Sequence, residues 1–545
     1  HMRYVTQKHL VPRLAVAVLT AFAICLLTGG TARPAPLSSD GKAQSRGDKA
    51  LRDGDFETAE KIYRDLLAKD PHDNRARLGL SFALLKQRQL QDAYDHAARV
   101  ILVEPLSARA HALLGSAILA SGDFRNSVEE FRTAISLEEN ESVAVAGLAM
   151  VDFYENRLDS ALRGLRRAVN IAPNEPDYIF NLGQAAARSE RYREAADAYE
   201  RFLIVAPKTD SDRRARIRGL IDFLRYLGTQ SSLYVPSGSS KTIVPFESID
   251  GRPILKVRVN GEKDALRFVL DTGSGMSVVS DVTAKRLGLR PVARGGLARA
   301  VGGGGKFEIV YGFLSSLQIG EVKVENVPVY IRRFFDAKTP VDGYIGLSII
   351  SKFIASVDYG ENSFTLVRRQ SDNLDQWHTL YRADNPTAAQ ASPVNPGGIE
   401  IPLRTTSSGF LSGEVHLEGI EKPLNFIIDT GASVSVVSEK LAALEEMANY
   451  LQPTRMRVFG AAGVAEDVKT LMLPKVMLGT FTREQISAAV LDLDPVNETA
   501  GFIQNGILGG NFLRHFRVLF DFQRGLIRLE PLNKTARTTI NQEEM

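Results

Sequence analysis

Phe268-Val269-Leu270-Asp271-Thr272-Gly273-Ser274-Gly275-Met276-Ser277-Val278-Val279-Ser280 returns 158 residues later as Phe426-Ile427-Ile428-Asp429-Thr430-Gly431-Ala432-Ser433-Val434-Ser435-Val436-Val437-Ser438. Eight of the thirteen positions are identical. In each copy an apolar run with β-branched content delivers an aspartate to a tight Thr-Gly turn, and a second apolar run leads away. This predicts strand, sharp loop, strand. A carboxylate set at the end of a buried strand is costly unless it is hydrogen-bonded or shared. Two such loops predict two carboxylates that face each other.

The surroundings repeat in the same order. Thirty-one residues after each aspartate lies a glycine-containing segment suited to a hairpin tip: Val301-Gly302-Gly303-Gly304-Gly305 in the first copy, Phe459-Gly460-Ala461-Ala462-Gly463 in the second. Further on, Asp342-Gly343-Tyr344-Ile345-Gly346-Leu347 is matched by Asn505-Gly506-Ile507-Leu508-Gly509-Gly510. A hairpin pattern follows in both, Val357 to Leu366 and Phe520 to Leu529. The glycines Gly346 and Gly509 and the hairpin aspartates Asp358 and Asp521 keep one common offset of 163.

This ordered, duplicated set resembles the aspartic peptidases, and more narrowly their small retropepsin-like lobes. The resemblance implies that Asp271 and Asp429 form a catalytic dyad, supported by Thr272, Gly273 and Ser274 in one loop and Thr430, Gly431 and Ala432 in the other. It implies flaps at Gly302, Gly303, Gly304 and Gly305 and at Phe459, Gly460 and Gly463, with Phe459 and Val464 making the second flap bulkier. Ile345 and Gly346, with Leu508 and Gly509, would pack beside the catalytic loops. Retropepsins usually pair single-lobe chains, so two lobes in one chain suggest a self-contained, pepsin-like pseudodimer. One carboxyl would stay protonated while the other activates water, with no metal or cofactor needed. Ser274, which has only Ala432 as its counterpart, is expected to donate to Asp271 and make it the more readily ionised member. Neither flap copies the isoleucine-rich tip of the retroviral enzymes.

Upstream, Pro71, Pro105, Pro173 and Pro207 keep a spacing of 34, with Glu139 on the beat that lacks proline. Phe56, Leu90, Phe124, Leu158 and Tyr192 share that period, as do the small residues Ser81, Gly115, Ala149 and Gly183. The pattern resembles tetratricopeptide repeats, four to five units of paired antiparallel helices. Ser211 to about Leu227, with Ile217, Leu220, Ile221 and Leu224 on one face, reads as a solvated capping helix. Such an array offers a concave face for a protein or peptide adaptor. Tyr178, Phe180 and Tyr192 are expected in its inter-helix core.

The chain of 545 residues carries a net charge of +3 without a long basic block, which gives nucleic-acid binding no electrostatic support. His1 reads as a cloning remnant. Arg3, Lys8 and Arg13 precede the apolar run Leu14 to Leu27 and the small-residue pattern Gly30-Thr31-Ala32, which predicts a signal peptide or an uncleaved N-terminal anchor over 1–32. The expected location is exported, periplasmic or otherwise extracytoplasmic, with membrane contact only through that segment. Cys25, the single cysteine, lies in the run after Phe22-Ala23-Ile24, a poor lipoprotein acceptor. The expected organisation continues with a disordered lead-in (33–43), the helical repeats and cap (44–228), a linker (229–242), a first lobe (243–369), an interlobe linker (370–398) holding Trp377, a second lobe (399–533) and a frayed tail (534–545).

The fold expected is therefore multidomain, an all-α solenoid followed by two all-β lobes. Its expected activity is exported aspartic endopeptidase action on protein substrates, with the array recruiting substrate or adaptor. Two alternatives stay open: a catalytically silent peptide-binding scaffold, and a protease active only as an intermolecular dimer.

Overall fold

The computed structural model describes residues 39–301, 306–335, 339–369 and 398–532. The leader, the Gly302–Gly305 tip, nearly all of the interlobe linker with Trp377, and the tail lie outside these residues.

Eleven helices come first: α1 (Ser39–Asp53), α2 (Phe56–Lys69), α3 (Asn74–Lys86), α4 (Leu90–Val103), α5 (Ala108–Ala120), α6 (Phe124–Leu137), α7 (Ser142–Tyr154), α8 (Leu158–Ile171), α9 (Pro176–Arg188), α10 (Tyr192–Val205) and α11 (Ser211–Leu227). They form five antiparallel pairs and a final helix. Within each pair the turn contains one left-handed residue, Gly54, Arg88, Gly122, Asn156 or Glu190, again 34 apart. Aspartates open several helices: Asp55, Asp73 and Asp123 each accept a backbone N–H from three residues on. Phe131, Tyr199 and Phe202 fill the inter-helix core, and Tyr178 and Phe180 join them there. Tyr192 is only half-buried.

Three sequence expectations are corrected here. Residues 39–43, assigned to a disordered lead-in, open α1. The linker over 229–242 contains a strand, Val235–Gly238, which pairs with Val322 to Glu325 and so belongs to the first lobe. Helix α11 is not a solvated cap. Besides the apolar face read from the sequence it carries Phe223, Tyr226 and Leu227, a second stripe packed against the first lobe, where Phe223 stacks on Tyr311 at 4.4 Å and Tyr226 meets Phe313 edge-on at 5.7 Å.

The two lobes repeat one topology. Leu266–Leu270 runs parallel to Gly343–Ile345, which is antiparallel to Val278–Ser280. In the second lobe Leu424–Ile428, Gly506–Leu508 and Ser435–Ser438 keep the same relations. A six-stranded sheet joins the lobes. Hairpin Phe353–Asp358/Ser363–Arg368 meets hairpin Phe516–Asp521/Leu526–Pro531 through pairs from Ala355↔Phe520 to Asp358↔Arg517, and Lys241–Pro245 and Ile399–Pro402 close its edges. One apolar core runs through both lobes and this sheet. The lobes are thus fixed against each other by burial and by backbone pairing, the two terms that dominate domain cohesion.

The array is docked as well. Phe502 of the second lobe is fully buried among array residues, 4.9 Å from Phe124 and 5.0 Å from Tyr154. Successive turns of the array meet the lobes. The Ile503 amide donates to the Ala120 carbonyl (2.9 Å), Asn425 Nδ2 to Gly122 O (3.2 Å), and Asn156 Nδ2 to Phe522 O (3.4 Å), while Glu190 pairs with Lys352. Within the array, Lys86 pairs with Glu175 at 3.3 Å and with Asp177, and Arg213 reaches Asp177 at 2.8 Å. These bonds tie the second repeat to the fifth.

Candidate active site

Asp271 and Asp429 each follow a fully apolar strand end, Leu270 and Ile428, so the chain has no choice but to carry them inward. Each loop is fixed from below: Asp271 N donates to Ile345 O (2.9 Å) and Asp429 N to Leu508 O (3.0 Å). The glycines beside these carbonyls are held too, Gly346 N by Ser277 Oγ (3.0 Å) and Gly509 N by Ser435 Oγ (3.1 Å). A Cβ at Gly346 would lie 2.7 Å from the Met276 carbonyl carbon, and one at Gly509 2.8 Å from that of Val434. Ile345, Gly346, Leu508 and Gly509 therefore sit where the repeated sequence pattern put them.

The two loops grip each other. Thr272 Oγ1 donates to Ile428 O (2.6 Å) and accepts from Thr430 N (3.1 Å); Thr430 Oγ1 donates to Leu270 O (2.6 Å) and accepts from Thr272 N (3.1 Å). All four groups are shut from water, so every partner lost leaves a buried polar group unpaired. A Cβ on Gly273 would meet the Asp429 carboxyl at 2.5 Å, and one on Gly431 the Asp271 carboxyl at 2.7 Å. Each aspartate thus lies over the opposite loop's glycine, and the pairing expected of a pseudodimer forms within one chain.

Burial pushes the Asp271 carboxyl well above the usual carboxylate range, and the neighbouring Asp429 charge and their mutual hydrogen bond push it further. Burial raises Asp429 as well, and its bond with Asp271 and the backbone N–H groups of Gly431 (2.8 Å) and Ala432 (3.1 Å) offset this only in part; on Asp271 the nearby Arg332 guanidinium and the Gly273 N–H (2.9 Å) act in the same lowering sense. Both carboxyls are raised, so the two share a proton; two backbone donors on Asp429 against one on Asp271 favour the charge on Asp429, where the sequence expectation placed it on Asp271 through Ser274. Ser274 Oγ donates to Met276 O (2.7 Å), not to Asp271, because the turn brings that carbonyl within reach first.

Two consequences can be measured. Ser274→Ala should leave the acid limb of any activity profile in place. The folded Asp271 pKa lies above its unfolded value near 3.9, so stability is fully present below that value and falls as pH rises through the folded pKa. Thermal unfolding followed across acid to neutral pH should show that decline, and Asp271→Asn should flatten it.

Above the dyad lies a cavity of about 990 Å³. The second flap, Leu451–Gly460 with Gly463–Leu473, brings Phe459 and Gly460 to its wall and sets Gly460 opposite Gly463. From the first flap, Ala300 and Val301 reach the cavity, and Val301 packs against a buried cluster of the second lobe that Met456 and Val458 also border. The remaining wall is the helical array. Arg188 at the end of α9, Glu190 in the turn after it, Tyr199 of α10 and Arg216 of α11 border the same space as Asp271 and Asp429. Helix α11 also braces the first flap: the strand Ala293–Arg299 bulges at Gly295 and Gly296, and a Cβ on Gly219 would lie 2.7 Å from Arg294 O.

Sequence reading did not find the array wall or Phe502. The 34-residue beat marks the turn positions at 122, 156 and 190, but a period within one domain carries no information about what its edge touches. No group of three or more His, Cys, Asp or Glu suited to a metal occurs among the described residues. Among them too, no helix is long and apolar enough to cross a membrane.

Two lobes meeting at paired Asp-Thr-Gly loops define a bilobal domain of the aspartyl protease type. An aspartyl protease family model matches residues 255–349 and 413–512, and two tetratricopeptide repeat models match residues 50–117 and 147–212. The chain carries an aspartyl protease domain joined to tetratricopeptide repeats. Curated relatives include anaphase-promoting complex subunit 3 of Schizosaccharomyces pombe, 27% identical over 160 residues, which are 29% of this chain and 24% of that protein. BBSome complex member BBS4 of Bos taurus is 22% identical over 158 residues, 29% of this chain and 30% of that one. This chain thus spans under a third of either relative. Among solved structures, a thermophilic TPR protein of Thermus thermophilus matches at 19% identity with a TM-score of 0.29, over 32% of this chain and 95% of that one. The MamA protein matches at 22% and 0.22, over 30% and 90%.

Proposed function

We propose that the protein is an aspartic endopeptidase that hydrolyses peptide bonds of protein substrates with one dyad per chain. The observation that carries this reading is the pair of buried carboxyls, each seated on the other loop's glycine and both raised by burial. The ionised Asp429 takes a proton from water as it attacks the scissile carbonyl, and the protonated Asp271 donates to the carbonyl oxygen. When the intermediate collapses, the proton on Asp429 passes to the leaving amine and Asp271 recovers its own. No covalent bond to the enzyme forms.

The array acts in this reading as the third wall of the cleft, which supports a role in selecting substrate at the dyad itself; recruitment of a separate adaptor would use its outer surface. Export to an extracytoplasmic compartment follows from the basic and apolar pattern over 3–32. Cleavage of a degenerate peptide mixture, read by mass spectrometry from about pH 3 to 8, tests the activity. Products from the parent chain that vanish with either aspartate replaced support it, and intact peptides at every pH overturn it.

A further inference from the structure

Most charged side chains on the cavity wall are already engaged. Arg457 pairs with Glu466 at 2.7 Å, and Arg188 spends its Nη2 on the carbonyls of Thr406 and Ser407 while its guanidinium lies 3.9 Å from the Phe153 ring. Arg216 has Asp212 and Glu498 within electrostatic reach, and Lys352 pairs with Glu190. Glu308 of the first flap is held by Arg294 at 3.4 Å. Arg333 is exposed and lies 5.6 Å from the Phe335 ring.

Arg332 differs. It ends the strand Val322–Arg332, and its guanidinium stands 5.8 to 5.9 Å from three ring centroids, those of Phe307 on the first flap, Phe334 and Tyr344. Phe334 and Tyr344 pack edge-to-face at 4.9 Å, which makes this wall rigid. Tyr344 lies on the strand beside the one that delivers Asp271, so the aromatic group is on that aspartate's side of the dyad. The Arg332 Nε is shut from water and has no hydrogen-bond partner, and among the described residues no carboxylate forms an ion pair with the guanidinium. Among the described residues, the groups that act on it electrostatically are Tyr344 and Asp271. All four side chains border the cavity.

We infer that Arg332, framed by Phe307, Phe334 and Tyr344, is a specificity residue that selects peptide substrates with an acidic side chain at the position bound on the Asp271 side of the scissile bond. This rests on the peptidase reading above. A guanidinium offers a planar fork that a carboxylate matches with two parallel bonds, while an amide of the same shape forms weaker, uncharged ones. In a cleft enclosed on three sides the difference is little screened. The aromatic frame contacts the stem of the incoming residue and keeps the guanidinium from folding away.

The test uses pairs of end-blocked peptides, identical except for Glu or Gln at one position, with each position flanking the scissile bond taken in turn. In the parent chain the Glu peptide should exceed the Gln peptide in kcat/KM by on the order of tenfold at one position. Arg332→Gln should bring that ratio to about one, Arg332→Lys should keep part of it, and Arg332→Glu should invert it in favour of Gln. A merely structural arginine would lower both peptides alike and leave the ratio unmoved, which would overturn the inference. So would a parent chain that discriminates at no position. Binding of the same pairs to Asp429→Asn, followed by fluorescence anisotropy, separates the two readings. A Glu preference in binding with no cleavage by the parent would uphold the subsite and overturn the peptidase; equal binding with cleavage intact would do the reverse.

Discussion

Asp429→Asn is expected to lower peptide hydrolysis by at least about 10³-fold while the protein stays folded. The ionised carboxylate is the only group placed to take the proton from water, and an amide of equal size cannot. Two features of the site keep the loss from being a folding defect. Asparagine retains the oxygen that accepts from Gly431 N and Ala432 N, and it removes the one negative charge that the pair buries. The melting temperature should therefore hold or rise. An Asn variant that melts as late as the parent and still cleaves at more than a tenth of its rate would show that Asp429 is not the base. Asp271→Asn should be as inactive, because the acid and the base act as a unit and their losses do not add.

Phe502→Ala is the largest stability change expected from a single residue outside the dyad. The ring is fully buried and wedged edge-on against Phe124 and Tyr154, with Ile503 bonded to Ala120 beside it. Truncating a buried phenylalanine costs about 3–5 kcal/mol, and here the cost falls on the seam between array and second lobe. Thermal unfolding should shift down and limited proteolysis should open the boundary between the repeats and residue 235. Activity on peptides should fall too, since the cleft would lose its helical wall. Phe502→Leu keeps most of the volume and should cost less than about 1.5 kcal/mol. An Ala variant as stable as the parent would mean that the array does not dock through this residue.

Much of this was legible in the chain. The dyad loops, the glycines beneath them and the hairpin pairs appear as a duplicated, ordered pattern, because each is fixed by a local need: an aspartate at the end of an apolar strand, or a glycine where backbone passes within 3 Å. The repeats were legible for the same reason, since every unit solves one packing problem with the same small and large residues. What was not legible depends on contacts between distant segments. Ser274 looked like the donor to Asp271, but the local turn gives its hydroxyl the Met276 carbonyl instead. Helix α11 showed one apolar face plainly, and the second, with Phe223 and Tyr226, has meaning only once the first lobe lies against it. Arg332 reads as one of 67 basic residues until the fold surrounds it with three rings and, among the described residues, leaves its Nε without a hydrogen-bond partner.

The central claim is that one chain holds one complete site, built from both lobes. It is tested most directly by mixing Asp271→Asn and Asp429→Asn in equal amounts and assaying the mixture beside the parent chain. Reciprocal threonine bonds, a shared core and a six-stranded interlobe sheet all close within the chain, so the parent should cleave and the mixture should stay silent at every concentration. Activity in the mixture that rises with concentration would show that the aspartates pair between chains and would contradict the account.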